Sequence, residues 1–207
     1  KTEPLGEQQS LARSERWYRR AAEGGNQSAQ QCLARFLRLA VATPQAKTEA
    51  HRIVAGLAAK GNAAAISQLG RNFYSGDGVA RDPRMARTEF ERSAAQSVTS
   101  QAMLAQMLLR GEGGPVDLQR GRALLVGAAR AGNAQAEQQL GDALWNARFG
   151  FAANREAALR WLQQAASKRN RTAMVQLARI YGDPASPLRN ERLAARWATP
   201  VQEAPGR

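Results

Sequence analysis

Two short patterns run through this chain in phase, and a fixed period of that kind constrains a fold more tightly than any other sequence feature. The pair Ala-Ala recurs at Ala21-Ala22, Ala58-Ala59, Ala94-Ala95, Ala128-Ala129 and Ala165-Ala166, in steps of 37, 36, 34 and 37 residues. A leucine followed by a small residue recurs at Leu33-Ala34, Leu69-Gly70, Leu104-Ala105, Leu140-Gly141 and Leu177-Ala178, in steps of 36, 35, 36 and 37. A unit of roughly 36 residues cannot bury an apolar face alone, so successive units must stack.

Each pattern sits on a helix. Small residues stand four before the anchor leucine, at Ala29, Ala65, Ser100, Ala136 and Ala173. Larger ones stand four after it, at Leu37, Phe73, Leu108, Leu144 and Tyr181. Residues four apart share one stripe of a helix, so this stripe faces a neighbour. A bulky residue precedes each alanine pair by four, at Trp17, Val54, Phe90, Leu124 and Trp161, which gives a second helix its own apolar face. Alanine makes up 42 of the 207 residues; it costs least in helical propensity and lets backbones approach closely. Ser10, Asp117, Asn154, Asn190 and the pair Asp82-Pro83 occupy helix-start positions. Gly61-Asn62 and Gly132-Asn133 end one helix and open the next.

The expected fold is therefore all-α: a leading helix near residues 10–23, then about five helix-pair repeats. The repeats fall near residues 27–61, 62–97, 98–132, 133–169 and 170–199, giving one solenoid domain over residues 1–199. Residues 200–207 carry Pro200 and Pro205 and no periodicity, and read as a flexible tail or linker. The start, Lys1-Thr2-Glu3-Pro4, has neither Met nor an apolar run and reads as a fragment with further repeats ahead of it. No stretch approaches the roughly 18 apolar residues that a membrane-spanning helix needs.

The run from Leu69 through Tyr74-Ser75-Gly76-Asp77-Gly78 to Asp82-Pro83-Arg84-Met85-Ala86 resembles the consensus of the Sel-one-like repeats (SLR), relatives of the tetratricopeptide repeats. Gly111-Glu112-Gly113-Gly114-Pro115-Val116-Asp117 matches the same glycine-rich loop, and Trp161 to Ala166 matches the end of the unit. The loops at Ala42 to Lys47 and Arg148 to Ala153 lack the Gly-x-Gly, and Gly121 replaces the usual alanine of the third unit. The resemblance implies a right-handed α/α superhelical solenoid acting as a scaffold for multiprotein assemblies, with the bacterial periplasm or cell envelope as its expected place. It also implies a structural role for the glycine loops, which let the backbone take positive φ between antiparallel helices. A phosphate-binding loop would need a preceding strand and a following Lys and hydroxyl, and neither glycine loop has them.

Chemistry has few residues to stand on. One cysteine, Cys32, excludes an intramolecular disulfide and beside its anchor leucine reads as a buried, inert thiol. One histidine, His51, excludes two-histidine zinc patterns and falls where it faces solvent or a neighbouring repeat. Glu89 and Glu91, two apart on a helix, point to different sides. The tryptophans occupy repeat positions and read as core, except Trp145, which lies off the stripe. No catalytic residue, metal ligand or cofactor site is assigned.

What remains is charge and one helix face. The formal net charge is +13, and arginine supplies 26 of the 30 basic residues. The positions two and six beyond each anchor leucine lie opposite the buried stripe. In tetratricopeptide-like solenoids this side of the first helix lines the concave face. With the residue before the leucine, these positions give the candidate partner-binding set Arg35, Gln68, Arg71, Gln106, Arg110, Gln139, Asp142, Asn146 and Arg179. Guanidinium and amide groups one repeat apart suit carboxylates and peptide backbone, so an acidic protein or peptide is the expected partner. An acidic polysaccharide would meet the same arginines. Nucleic acid is disfavoured by the scarcity of lysine and the lack of a basic block or aromatic platform. A cell-wall-directed enzyme is disfavoured by the lone histidine.

The register makes Leu140 a core residue. Leu140→Ala is expected to cost about 2–5 kcal/mol in denaturant unfolding, with hydrogen exchange rising first in the neighbouring repeats.

Overall fold

The structure, a computed structural model, describes residues 7–198. Among these residues there are eleven α-helices and no strand: α1 (Glu7–Glu23), α2 (Gln27–Phe36), α3 (Pro44–Ala59), α4 (Ala63–Ser75), α5 (Pro83–Ser93), α6 (Val98–Arg110), α7 (Leu118–Arg130), α8 (Ala134–Trp145), α9 (Arg155–Ser167), α10 (Arg171–Gly182) and α11 (Glu191–Ala198). A π-helical turn, Leu37–Val41, follows α2. The chain is an α/α solenoid: a leading helix and five pairs. Residues 200–207, read from sequence as a tail, lie outside the described residues.

Helix starts are set by local chemistry. Asn26, Asn62, Asn133 and Asn170 cap the first helices α2, α4, α8 and α10, each side chain accepting a hydrogen bond from the backbone N–H three residues on. Asp82, Asp117, Asn154 and Asn190 do the same for the second helices α5, α7, α9 and α11. Thr43 and Ser97 complete the series at α3 and α6. Ser10 does not cap: it lies one turn inside α1, which begins at Glu7.

Packing divides the chain into two compact units, one of residues up to Ser100 with Gly111–Pro115, the other of Gln101–Arg110 with residues from Val116 on. All five anchor leucines are buried. The small residue after the anchor is a steric requirement. A Cβ on Gly70 would stand 2.7 Å from the Phe90 ring, and one on Gly141 would stand 2.7 Å from Leu162 Cγ. In the first unit the hydroxyls of Ser93, Ser100 and Ser67 form a buried chain of hydrogen bonds at 2.7 and 2.8 Å. Trp161 and Trp197 pack against apolar clusters of the second unit, as does Trp145, which also lies under Arg155 at 5.4 Å. Trp17 departs from the core reading and is 65% exposed. Its counterpart Phe90 is covered by the first helix of its own pair, and no such helix precedes α1 among the described residues.

The second, third and fourth interhelical loops keep one backbone geometry whether or not glycine is present. Gly76, Gly78, Gly111 and Gly113, seven and nine residues beyond their anchors, have φ of 76°, 77°, 71° and 73°. The fourth loop takes the same conformation with Ala147 and Phe149, at φ of 52° and 55°, and the first does so once, at Ala42 with φ 54°. The second glycine also permits contact. A Cβ on Gly78 would fall 2.1 Å from the Lys47 carbonyl oxygen, and one on Gly113 2.2 Å from that of Pro83. Each loop thus lies on the first turn of the preceding repeat's second helix, which gives the glycines their structural role.

Gly113→Ala is expected to destabilise the protein by at least about 2 kcal/mol, since strain and overlap act together. Ala147→Gly relieves a left-handed alanine and is expected to add about 0.5–1 kcal/mol. Denaturant midpoints of the two variants check both signs.

Candidate functional site

Eight of the nine candidate residues lie on first helices and Asn146 caps the end of α8; the structure gathers them into three clefts, one in the first unit and two in the second. The first-unit cleft, of about 190 Å³, is lined by Gln31, Arg35 and Arg38 from α2 and the π-helical turn and by Gln68, Arg71 and Asn72 from α4. Ala34, Ala50, Val54 and Ala65 give it apolar walls. Arg71 is half-buried and donates to Gln68 Oε1. Burial, with the nearby charge of Arg38, holds its pKa below the ordinary guanidinium value. Gln68 in turn donates to Asn72 Oδ1 at 2.8 Å, and the Asn72 amide lies 3.4 Å from His51 Nδ1. His51 meets the next repeat, its ring edge-on to Phe73 with centroids 5.4 Å apart.

Carboxylates are scarce around this cleft. Arg38 reaches Asp77 of the glycine loop at 3.6 Å, but Lys47 lies closer to the same carboxylate, at 3.2 Å. Neither Arg35 nor Arg71 has an ion-pair partner among the described residues.

The second-unit clefts have a different chemistry. One, of about 240 Å³, brings together Gln106, Arg110, Gln139 and Asp142 with Arg148 and Gln176. Beside it, Asp142, Asn146 and Arg179 line a smaller cleft with Trp145. Asp142 is the hub: its carboxylate accepts from Gln176 at 3.0 Å, from Asn146 at 2.9 Å and from Arg148 at 3.3 Å. Gln138 donates to Gln176 at 2.9 Å, which ties α8 to α10. Gln106 differs from the outward position expected of it. It is buried on α6, where residues 104–109 are all buried, and its oxygen accepts from both Gln135 and Gln139.

Two further points separate sequence from structure. Cys32 is exposed, not buried, because it stands one before its anchor leucine, where other repeats place the half-buried Gln68, Gln139 and Gln176. Gln31, Arg38, Asn72, Gln138 and Arg148 also line the clefts and were not among the candidates. Gln31 and Gln138 share a legible signal, two residues before their anchors; Arg38 and Arg148 sit in irregular segments with no periodic position.

A family model for the Sel1 repeat matches residues 5–26, 63–98, 98–133, 134–170 and 172–199. Among solved structures, a Sel1 repeat protein from Oxalobacter formigenes is 25% identical, with a TM-score of 0.77 over 90% of this chain and 77% of that one. A protective antigen present in uropathogenic Escherichia coli strains, displaying an SLR fold, is 27% identical, with a TM-score of 0.67 over 90% of this chain. This chain spans 40% of that antigen's length. No curated protein matches. Among the described residues no helix is long and apolar enough to cross a membrane.

Burial holds the His51 imidazole below its ordinary pKa of 6.5, so the folded state favours the neutral ring. A depressed pKa of this sign contributes stability above about 6.5 that is lost as pH falls through the folded value. Thermal unfolding between pH 7 and pH 5 is therefore expected to show a loss on acidification that is smaller in His51→Gln.

Proposed function

This chain belongs to the Sel1 repeat family, and from that premise we propose that it is a non-catalytic interaction scaffold whose clefts take acidic segments of a partner protein. Sel1 repeat proteins generally serve as protein-interaction scaffolds. The observation that carries the finer reading is the state of the cleft arginines. Arg19, Arg92, Lys168 and Arg189 each pair with a carboxylate of the chain. Of the cleft arginines, Arg38 and Arg148 pair with Asp77 and Asp142, whereas Arg35, Arg71 and Arg179 have no such partner among the described residues. Guanidinium groups left without counter-charge beside amide donors favour an acidic ligand, and the +13 net charge steers it inward at low salt. The proposed contact residues are Arg35, Gln68 and Arg71 in the first unit and Gln106, Arg110, Gln139, Asp142, Asn146 and Arg179 in the second. A place in a bacterial envelope or signalling assembly belongs to the same proposal and rests on the family resemblance alone.

The test compares two double charge reversals in the full chain. Arg35→Glu with Arg179→Glu is expected to weaken binding of a labelled glutamate-rich peptide by about tenfold or more. Arg84→Glu with Arg130→Glu, exposed on second helices, is expected to weaken it less than about threefold, the change expected from net charge alone. Equal losses from both pairs would show diffuse attraction and overturn the reading. So would tighter binding of heparin or duplex DNA than of the peptide, with losses that follow total charge.

A further inference from the structure

The first-unit cleft has a composition that the fold alone does not require. Three arginines, Arg35, Arg38 and Arg71, line one concavity; Arg38 shares the Asp77 carboxylate with Lys47, which lies closer to it, and the other two have no ion-pair partner among the described residues. Like charges brought together in a partly desolvated site cost stability unless an anion joins them. Burial and the Arg38 charge both act against the charged form of Arg71.

Among the cleft amides, that of Gln68 orients Arg71. Gln31 donates an amide N–H to Asn62 Oδ1 at 2.7 Å, and Gln68 donates one to Asn72 Oδ1 at 2.8 Å. That second bond turns Gln68 Oε1 toward Arg71, which donates to it. Asn72 is buried and extends the chain to His51 Nδ1 at 3.4 Å, so the orientation of Arg71 is anchored on two elements of structure, α4 and α3. Arg38 rides on the π-helical turn Leu37–Val41, and π-helical segments frequently mark functional positions. A volume of about 190 Å³ with alanine and valine walls admits a carboxylate and a few attached carbons, but is below the roughly 300 Å³ at which cofactor pockets begin.

We propose that this cleft is a carboxylate subsite, in which Arg35, Arg38 and Arg71 together hold one peptide carboxylate while the alanine and valine walls receive the carbons next to it. The carboxylate comes from an aspartate or glutamate side chain or from a chain terminus; both present the same two oxygens. The assignment rests on the interaction-scaffold reading for its biological ligand. The subsite itself is a statement about a small anion, and this lets the two fail separately.

The first measurement is thermal unfolding of the full chain with glutarate, glutaramide or phosphate at matched ionic strength. Glutarate is expected to raise Tm by about 2–4 °C, with glutaramide inactive and phosphate clearly weaker. Arg71→Gln and the exposed Arg35→Gln are each expected to remove the glutarate shift, and Arg71→Lys to keep less than half of it, since a point charge does not reproduce a planar fork. Without ligand, Arg71→Gln is expected to unfold at the wild-type temperature or above it, whereas a purely structural arginine would lower it. No glutarate shift, a phosphate shift as large as the glutarate one, or a shift that survives both variants would overturn the subsite. The second measurement is anisotropy with three matched peptides: one with internal glutamates and an amidated end, one with no acidic side chain and a free end, and one with neither. Tenfold tighter binding of either of the first two than of the third, lost in Arg35→Gln, supports the subsite and identifies the source. A glutarate shift with no peptide discrimination would leave the subsite standing and overturn the scaffold reading for this cleft.

Discussion

Contact at the seam of the second and fourth helix pairs leaves no room for a side chain, and the other pairs keep an alanine at the same position. Gly70 lies against Phe90 and Gly141 against Leu162 at distances where a Cβ would overlap its neighbour. Helices this close cannot slide or rotate without collision, so the register of each pair is fixed by shape, not by polar contacts. The loops add a second fit of the same kind, with Gly78 and Gly113 seated on carbonyl oxygens of the preceding repeat. Once these contacts fix the first helices, Arg35 and Arg71 fall on facing walls of one cleft, although 36 residues separate them.

Electrostatics then differentiates units built on the same frame. In the first unit, arginines converge with little acidic relief, and the Gln68 amide orients one of them. In the second, Asp142 gathers Gln176, Asn146 and Arg148 into a closed network, and Gln106 is buried with its acceptor occupied. A site with unsatisfied charge invites a ligand of opposite sign, whereas a satisfied network offers amide groups and shape. One repeat therefore presents more than one cleft chemistry by changing a few positions on a single helix face.

Burial beside these faces carries its own polar traffic. Glu137 is almost fully buried and paired with Lys168, whose ammonium also donates to the Gly132 carbonyl at 2.8 Å. Arg19 forms a two-pronged pair with Glu49 that fastens α1 to α3. Both pairs link elements about 30 residues apart in sequence, as do the clefts themselves. Pairs of this kind add specificity of alignment more than net stability, because desolvation offsets much of their attraction.

Period and local chemistry were legible without any structure. Alanine pairs and anchor leucines mark which helix faces are buried, and Asn, Asp and Gly mark where helices begin and end, because capping depends on residues within three or four positions of each other. That is why the fold, the caps at Asp82, Asp117, Asn154 and Asn190, and the candidates on first-helix faces could be read directly. Ser10, Trp17 and Gln106 could not. Ser10 has cap chemistry without a helix end, Trp17 has a core residue's register with no helix to cover it among the described residues, and Gln106 is buried where neighbouring helices close over it. The left-handed Ala42, Ala147 and Phe149 belong with these, since an alanine shows no sign in sequence of the conformation that packing imposes on it. A periodic sequence determines which side of each helix turns inward; how far neighbouring repeats close, and so which arginines meet and which carboxylates reach them, is decided only when side chains a whole repeat apart come into contact.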